Sequence, residues 1–256
     1  MANEIKAKQD SSLALFGDDV SKGFDNMTQE DLALPFVRIL GQLSPQVTDG
    51  DAKYIDGAKP GMIYNTVTSE CFDGKKGIKV IPCYYKKDFP EWSDRGDGPG
   101  APVAVHLPNS PVIQTGKRDG SKIRLPNGNY LEETASYYVM IETKNGGYTP
   151  ALITMKSTQL NVSKKWNSMM KTIQIADGKG GFAIPPMHGV VYNLASTLQK
   201  NDKGSWYGWV VTQDRILGQE DKSLYLNAKD FSANVSKGTV QTKADVEEKV
   251  KDSTPY

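Results

Sequence analysis

The segment from residue 136 to residue 175 constrains the fold most strongly, because two strand patterns, a turn and a helix pattern follow one another there. Apolar side chains alternate with mixed ones over 136–142, which is typical of an antiparallel strand with one buried face. Asn145-Gly146 supplies the positive φ angles that a tight hairpin needs, and residues 151–155 form the return strand. A β-hairpin is therefore predicted.

After this hairpin the apolar period changes from 2 to about 3.6, which predicts an amphipathic helix. Trp166 belongs to its apolar stripe, so we expect this ring in the core, while Lys164 and Lys165 lie beside the stripe. Ser157 is a candidate cap for the helix, and Gly178 is a candidate end.

The rest of the chain is rich in strand patterns and turn residues. Further strands are predicted over residues 34–47, 61–68, 77–87, 101–107, 190–198 and 205–217. We expect 61–68 to pair with 77–87, and the last two strands to pair with each other. A final helix is predicted over 224–235 with Ser223 as cap, and the Pro- and Gly-rich segment 88–125 is predicted to be a long loop insertion.

This order of elements predicts a mainly β (α+β) fold, an OB-like Greek-key barrel with a helix between core strands and a C-terminal helix. Residues 1–30 carry three lysines against six acidic residues and have no sustained period, so they are predicted to be a flexible acidic arm. The OB-like domain is expected over 31–238, followed by a flexible tail over 239–256.

Several function classes find no support in the sequence. With no apolar run of 18 residues and no signal peptide, we expect a soluble protein without a membrane partner, located in the cytoplasm. Cys71 and Cys83 are expected to be free thiols, and His106 and His188 to be structural, so neither a zinc site nor triad chemistry is predicted. No phosphate-binding loop motif occurs, and we expect no cofactor and no enzymatic activity.

Aromatic rings interleaved with basic side chains are the remaining functional signal. This combination holds single-stranded nucleic acid, because bases stack on exposed rings while Lys and Arg contact phosphates. Tyr207 and Trp209 are expected in the core, whereas Trp92 is the strongest candidate platform because it is predicted to lie in a polar loop. The candidate DNA-binding residues are Tyr85, Lys86, Lys87, Trp92, Arg95, Arg118, Arg124, Lys156, Lys164, Lys165 and Trp206.

Five stretches carry a resemblance to a known group: LPFVRILGQLSPQV, GAKPGMIYNTVT, GIKVIPCYYKKDFPEW, MKSTQLNVSKKWNSMM and NDKGSWYGW. They resemble proteins of short-tailed, often marine phages, some of which are described as single-stranded DNA-binding proteins. The resemblance covers roughly residues 30–235. It implies coating of single strands in phage DNA replication or recombination, in the host cytoplasm.

The resemblance also implies phage replication proteins as partners, and a homo-oligomer is possible. Proteins of this kind often end in a strongly acidic tail with a final aromatic residue. Here Tyr256 supplies the aromatic residue, but lysines interrupt the acidic residues before it. Two alternatives stay open: a non-enzymatic phage interaction or virion protein, and a DNA-processing nuclease, which would need convergent carboxylates.

Overall fold

The computed structural model describes residues 15–19, 22–27, 31–94, 101–202 and 204–240. The chain divides into two units, Met1–Leu32 and Ala33–Tyr256. In the first unit, Gly17–Asp19 forms a 3-10 turn, and Lys22 Nζ lies 2.7 Å from an Asp19 carboxylate oxygen. Much of the predicted arm, the tail from residue 241 onward and Arg95 lie outside the described residues.

Fourteen strands are present among the described residues of the second unit. They are β1 (Val37–Ile39), β2 (Ile63–Asn65), β3 (Cys71–Phe72), β4 (Ile78–Trp92), β5 (Ala104–His106), β6 (Lys117–Asp119), β7 (Lys122–Arg124), β8 (Tyr130–Glu132), β9 (Thr134–Glu142), β10 (Tyr148–Lys156), β11 (Ile175–Ala176), β12 (Phe182–Ala183), β13 (Val190–Asn201) and β14 (Gly204–Ile216). The helices of this unit are α1 (Pro111–Thr115), α2 (Leu160–Thr172) and α3 (Lys222–Ser236).

Five long antiparallel strands form a curled sheet in the order β10-β9-β4-β13-β14. In chain order these are the third, second, first, fourth and fifth long strands, and α2 lies between the third and the fourth. The mainly β, barrel-like α+β fold with a helix between core strands and a C-terminal helix is therefore confirmed. The predicted hairpins β9–β10 and β13–β14 are both present.

The two faces of the curled sheet carry different cores. The interior face packs against α2, whose Trp166 is fully buried and stacks on Tyr137 with ring centroids 4.3 Å apart. Tyr192 also contacts Trp166, in an edge-to-face arrangement with ring centroids 5.6 Å apart. The outer face packs against α3 through residues such as Phe231. The burial of Trp166 in the interior core agrees with the sequence prediction.

A bulge in β4 decides which of its side chains reach each face. The register with β9 shifts between Pro82 and Tyr84. Before the shift, even-numbered residues such as Val80 belong to the interior core, whereas after it Tyr85 packs there and Tyr84 packs at the outer core. A classic bulge adds one residue to a strand and so reverses the alternation beyond it.

A small sheet of order β1-β2-β3 is linked through its flanking residues to two strands of the curled sheet, β10 and β13. At the edge strand β10, the Leu152 N–H donates to the carbonyl oxygen of Pro35 at 2.8 Å. At β13, the Ser196 N–H donates to the carbonyl oxygen of Gly74 at 2.7 Å, and the Ser196 hydroxyl donates to the carbonyl oxygen of Gly61. The small sheet therefore bridges β10 and β13.

The segment 88–125 contains more regular secondary structure than the long loop predicted from the sequence. β4 continues to Trp92 and pairs with β5 and β8, and β6, β7 and β8 form a meander. A separate small core of Phe89, Ile123, Leu125 and Leu131 holds it together. The loop prediction was therefore wrong: the short strands here lack a clear alternation and are stabilised by contacts with the end of β4.

Other local predictions also need correction. The strand predicted over 61–68 pairs with β1 and β3, not with β4, and in the segment 34–47 only β1 is a strand. Ser157 does not cap α2; it adopts φ 51° in a 3-10 turn, Ser157–Gln159, that precedes the helix. The helix ends at Thr172, well before Gly178, and Ser223 lies inside α3.

Within the described ranges, no helix combines the length and apolar character needed to cross a membrane.

Candidate nucleic-acid interface

The outer face of the curled sheet carries a groove of about 770 Å³ beyond the end of α3, called the sheet groove below. Its floor is built from alternate residues of three neighbouring strands, as the two-residue period of strands requires. These floor residues are Tyr84, Lys86, Asp88, Pro90 and Trp92 of β4, Thr134, Ser136 and Tyr138 of β9, and Leu152, Thr154 and Lys156 of β10.

The charges in the sheet groove nearly balance. Lys86 Nζ lies 3.1 Å from a carboxylate oxygen of Asp88, and Lys156 Nζ lies 2.7 Å from one of Glu132. Both acidic residues line the groove together with their basic partners. A polyanion entering here would have to compete with these carboxylates, so the sheet groove by itself is a modest phosphate site.

A second groove, of about 670 Å³, follows the free edge of β10 and is called the basic groove below. Its charged lining residues are Arg38, Lys53 and Lys156, and none of the described residues that line it is acidic. Arg38 and Lys53 are both exposed to solvent. Lys156 is paired with Glu132, whereas Arg38 and Lys53 have no carboxylate beside them among the lining residues and produce a positive potential that attracts a polyanion.

Aromatic rings accompany these cations along the basic groove. The Arg38 guanidinium lies 5.7 Å from the ring centroid of Tyr64, its cross-strand partner on β2. Tyr207 of β14 packs over Gly61, where a Cβ atom would collide with the tyrosine ring. Gly61 has φ 89°, so the backbone conformation and the close ring contact both favour glycine here.

The two grooves are continuous, since four residues line both: Phe36, Trp92, Thr154 and Lys156. Trp92 is half-buried at the junction. It lies at the end of β4, not in a loop, and pairs with Tyr130 of β8. The pairing of β4 with β8 therefore positions Trp92, the strongest candidate platform predicted from the sequence.

The buried carboxylate of Glu91 stabilises the 88–125 insertion near Trp92 through hydrogen bonds. Glu91 is 7% exposed, and one of its oxygens accepts hydrogen bonds from the side chains of Asn127 at 3.1 Å and Asn129 at 2.6 Å. His106 Nε2 of β5 lies 2.7 Å from the other oxygen. These bonds, with Asn129 contributing most and His106 next, hold the pKa of Glu91 below its ordinary value.

Of the predicted DNA-binding residues, the structure brings three together in the joined grooves: Lys86, Trp92 and Lys156. Tyr85 faces the interior, with its ring centroid 5.1 Å from that of Tyr137. Lys87 lies two residues beyond Tyr85 on β4, and its Nζ lies 2.8 Å from a carboxylate oxygen of Glu133.

The other predicted residues lie outside the two grooves. Arg118 is exposed on β6, and Arg124 is paired with Asp94 and with Asp119. Lys164 and Lys165 are exposed on α2. Trp206 lines a cleft of about 320 Å³ beside residues 39–43, which shares Ile39 and Tyr207 with the basic groove. Arg95 lies outside the described residues.

Sequence reasoning missed Arg38, Lys53 and Tyr64. Arg38 stands in a stretch interpreted as the apolar start of the core, and its alternation with buried Val37 is the signal that could have placed it on an exposed face. Tyr207, expected in the core, is only half-buried and lines the basic groove, whereas Trp209 is 4% exposed, as predicted for a core residue.

The described residues contain no cluster of three His, Cys, Asp or Glu side chains that could hold a metal ion. The fold and the site together define a barrel-like α+β protein with a basic, aromatic-lined groove along one strand edge.

The chain belongs to the Pam3 phage gp34-like protein family, whose model matches residues 6–241. It is therefore a phage protein, as the resemblance implied. No curated protein and no solved structure matches the chain.

Proposed function

We propose that this phage protein binds single-stranded DNA without sequence preference and acts in phage DNA replication or recombination in the host cytoplasm. The observation that carries the proposal is the basic groove, in which Arg38 and Lys53 have no acidic neighbour among the lining residues and share the groove with the half-buried rings of Trp92 and Tyr207. Cations track the phosphates, and rings accept stacked bases of any identity.

The position of the grooves supports the same proposal. In OB-fold proteins, oligonucleotides bind on the face of strands two and three and at the loops beside it. Here β9 and β10 are the second and third long strands, and the sheet groove lies on their outer face. A strand that follows both grooves would pass Trp92 at their junction.

Titration of fluorescent oligo-dT and of a duplex of equal length, at low and moderate salt, tests the proposal. We expect much tighter binding of oligo-dT, with log affinity falling linearly with log salt by about 0.7 per phosphate contacted. Equal affinity for the duplex, or no binding of oligo-dT at low salt, would contradict the proposal. The second result would favour a protein-interaction role.

Charge reversal then locates the path of the DNA. Arg38→Glu with Lys53→Glu should weaken oligo-dT binding and flatten the salt slope by about 1.4, since two phosphate contacts are lost. Lys164→Glu with Lys165→Glu changes the total charge equally but lies outside the grooves, and serves as the matched control. A larger loss in the α2 pair would place the DNA on that helix, as the sequence suggested.

A further inference from the structure

Two glutamine side chains in the basic groove have polar atoms with no hydrogen-bond partner in the described part of the chain. Gln46 is 2% exposed and lines the groove, and its Oε1 has no hydrogen-bond partner among the described residues. Buried polar atoms are nearly always paired, since leaving one unpaired costs free energy. In a residue that lines a groove, an unpaired polar atom is a candidate contact for a ligand that supplies the missing partner.

Gln159 provides the second atom. Its Oε1 accepts the Trp209 N–H at 2.9 Å, and because that partner is a donor, the other atom of the amide must be the NH₂ group. This Nε2 also lacks a partner within the described part of the chain, and Gln159 lines the same groove. The groove therefore offers one oriented donor, from Gln159, and the unpaired atom of the Gln46 amide, which is assigned as its oxygen.

Both glutamines are held by short 3-10 turns. Gln46 lies in Pro45–Val47, and its carbonyl oxygen accepts the Ile55 N–H at 3.0 Å. Gln159 ends the turn Ser157–Gln159, which contains the positive φ of Ser157. Backbone positions held in this way are typical of preorganised binding sites, and strained residues cluster at such sites.

We infer that the basic groove binds one unpaired nucleobase by its hydrogen-bonding edge, with Gln46 as acceptor and Gln159 as donor. The inference rests on the proposed function and adds a reason for preferring single strands. Thymine offers an N3–H donor beside its O4 acceptor, and in a duplex both of these atoms are already paired. The groove volume of about 670 Å³ falls within the roughly 300–1,000 Å³ of small-molecule sites.

Oligo-dT and an oligomer of N3-methylthymidine of equal length provide the test. The two carry the same phosphates and stacking rings, but the methylated base lacks the N3–H donor. We expect the wild-type protein to bind the methylated oligomer roughly threefold to tenfold more weakly, the net effect of one lost hydrogen bond. Equal affinity for the two oligomers would overturn the inference while leaving single-strand binding intact.

Gln46→Met removes the acceptor at nearly constant volume. This variant should lose the discrimination between the two oligomers and still bind oligo-dT in a salt-dependent way. Discrimination that persists in Gln46→Met would also overturn the inference. Failure of the wild-type protein to bind oligo-dT at all would instead contradict the proposed function, so the two failures are distinguishable.

Gln159→Glu tests the donor, because glutamate can still accept the Trp209 N–H. Its added negative charge should weaken binding of oligo-dT and of an oligomer of abasic spacers alike. Loss of the donor should weaken oligo-dT binding by a further factor of about three to ten. An equal loss for both ligands would exclude Gln159 from base recognition.

Discussion

Single residues in this protein have roles that neighbouring residues of the same type do not share. Tyr84 and Tyr85 are adjacent in the chain, yet Tyr84 lines the sheet groove and Tyr85 packs against the interior core. Glu91 also has a specific role, because its carboxylate links β4 to His106 of β5 and to the 127–129 turn. The hydrogen bonds to Glu91 make the stability of the folded protein depend on pH.

The first prediction concerns Glu91. The folded-state pKa lies below the ordinary value of 4.5, so its stabilising contribution is complete above that value and is lost as pH falls through the folded pKa. Urea unfolding at about pH 7 and about pH 3.5 should show a smaller acid-induced loss of stability in Glu91→Gln than in the wild type. Identical losses in both proteins would exclude Glu91 as a contributor.

At the scale of elements, α2 combines a buried and an exposed face. Trp166 is fully buried between Tyr137 and Tyr192, and the Tyr137 hydroxyl lies 2.7 Å from the Ser163 hydroxyl of the same helix. Lys164 and Lys165 lie on the solvent side. The helix therefore contributes to stability mainly through its aromatic side.

Trp166→Ala should accordingly lower the free energy of unfolding by roughly 3–5 kcal/mol, the usual effect of removing a large buried ring. Lys164→Glu with Lys165→Glu should shift the melting temperature by only a few degrees, because exposed charges contribute little. Denaturant and thermal unfolding measure both effects. A small effect of the tryptophan change would mean that the interior core repacks around the lost ring.

The elements that local sequence determines were predicted well, and those that depend on distant partners were not. Asn145-Gly146 forces a tight turn, and the period of 3.6 identifies α2, so both followed from nearby residues. The partner of β2 could not be read from its alternation, which is the same whether it pairs with β1 or with β4. Arg38 and Tyr64 become part of one site only through that pairing.

For the second unit as a whole, the link between the small sheet and the curled sheet depends on a close approach of backbone at Gly74. A Cβ atom at this position would collide with the carbonyl oxygen of Gly61 and the hydroxyl of Ser196. The contact joins the small sheet, which carries Arg38 and Tyr64, to β13. Stability and the shape of the basic groove therefore depend on the same contact.

Gly74→Ala should destabilise the protein by about 3 kcal/mol, the upper part of the range for overpacked sites, and should weaken oligo-dT binding. Gly147→Ala is the matched control, because its nearest neighbour would be 3.7 Å from the added Cβ. Thermal unfolding and the same titration give both readouts. Equal stability of the two variants would show that the contact of Gly74 with Gly61 and Ser196 can rearrange without a loss of folding free energy.

The bulge in β4 makes the binding surface sensitive to chain length as well as to residue type. The extra residue near Cys83 puts Tyr84, Lys86 and Trp92 on the opposite side from Val80, although all four numbers are even. Deleting that extra residue would restore a regular register with β9 and leave residues 84–92 on their present sides, whereas deleting a residue between 85 and 91 would exchange the sides of the residues before or after it. A one-residue deletion at the bulge should therefore be tolerated better than one farther along the strand.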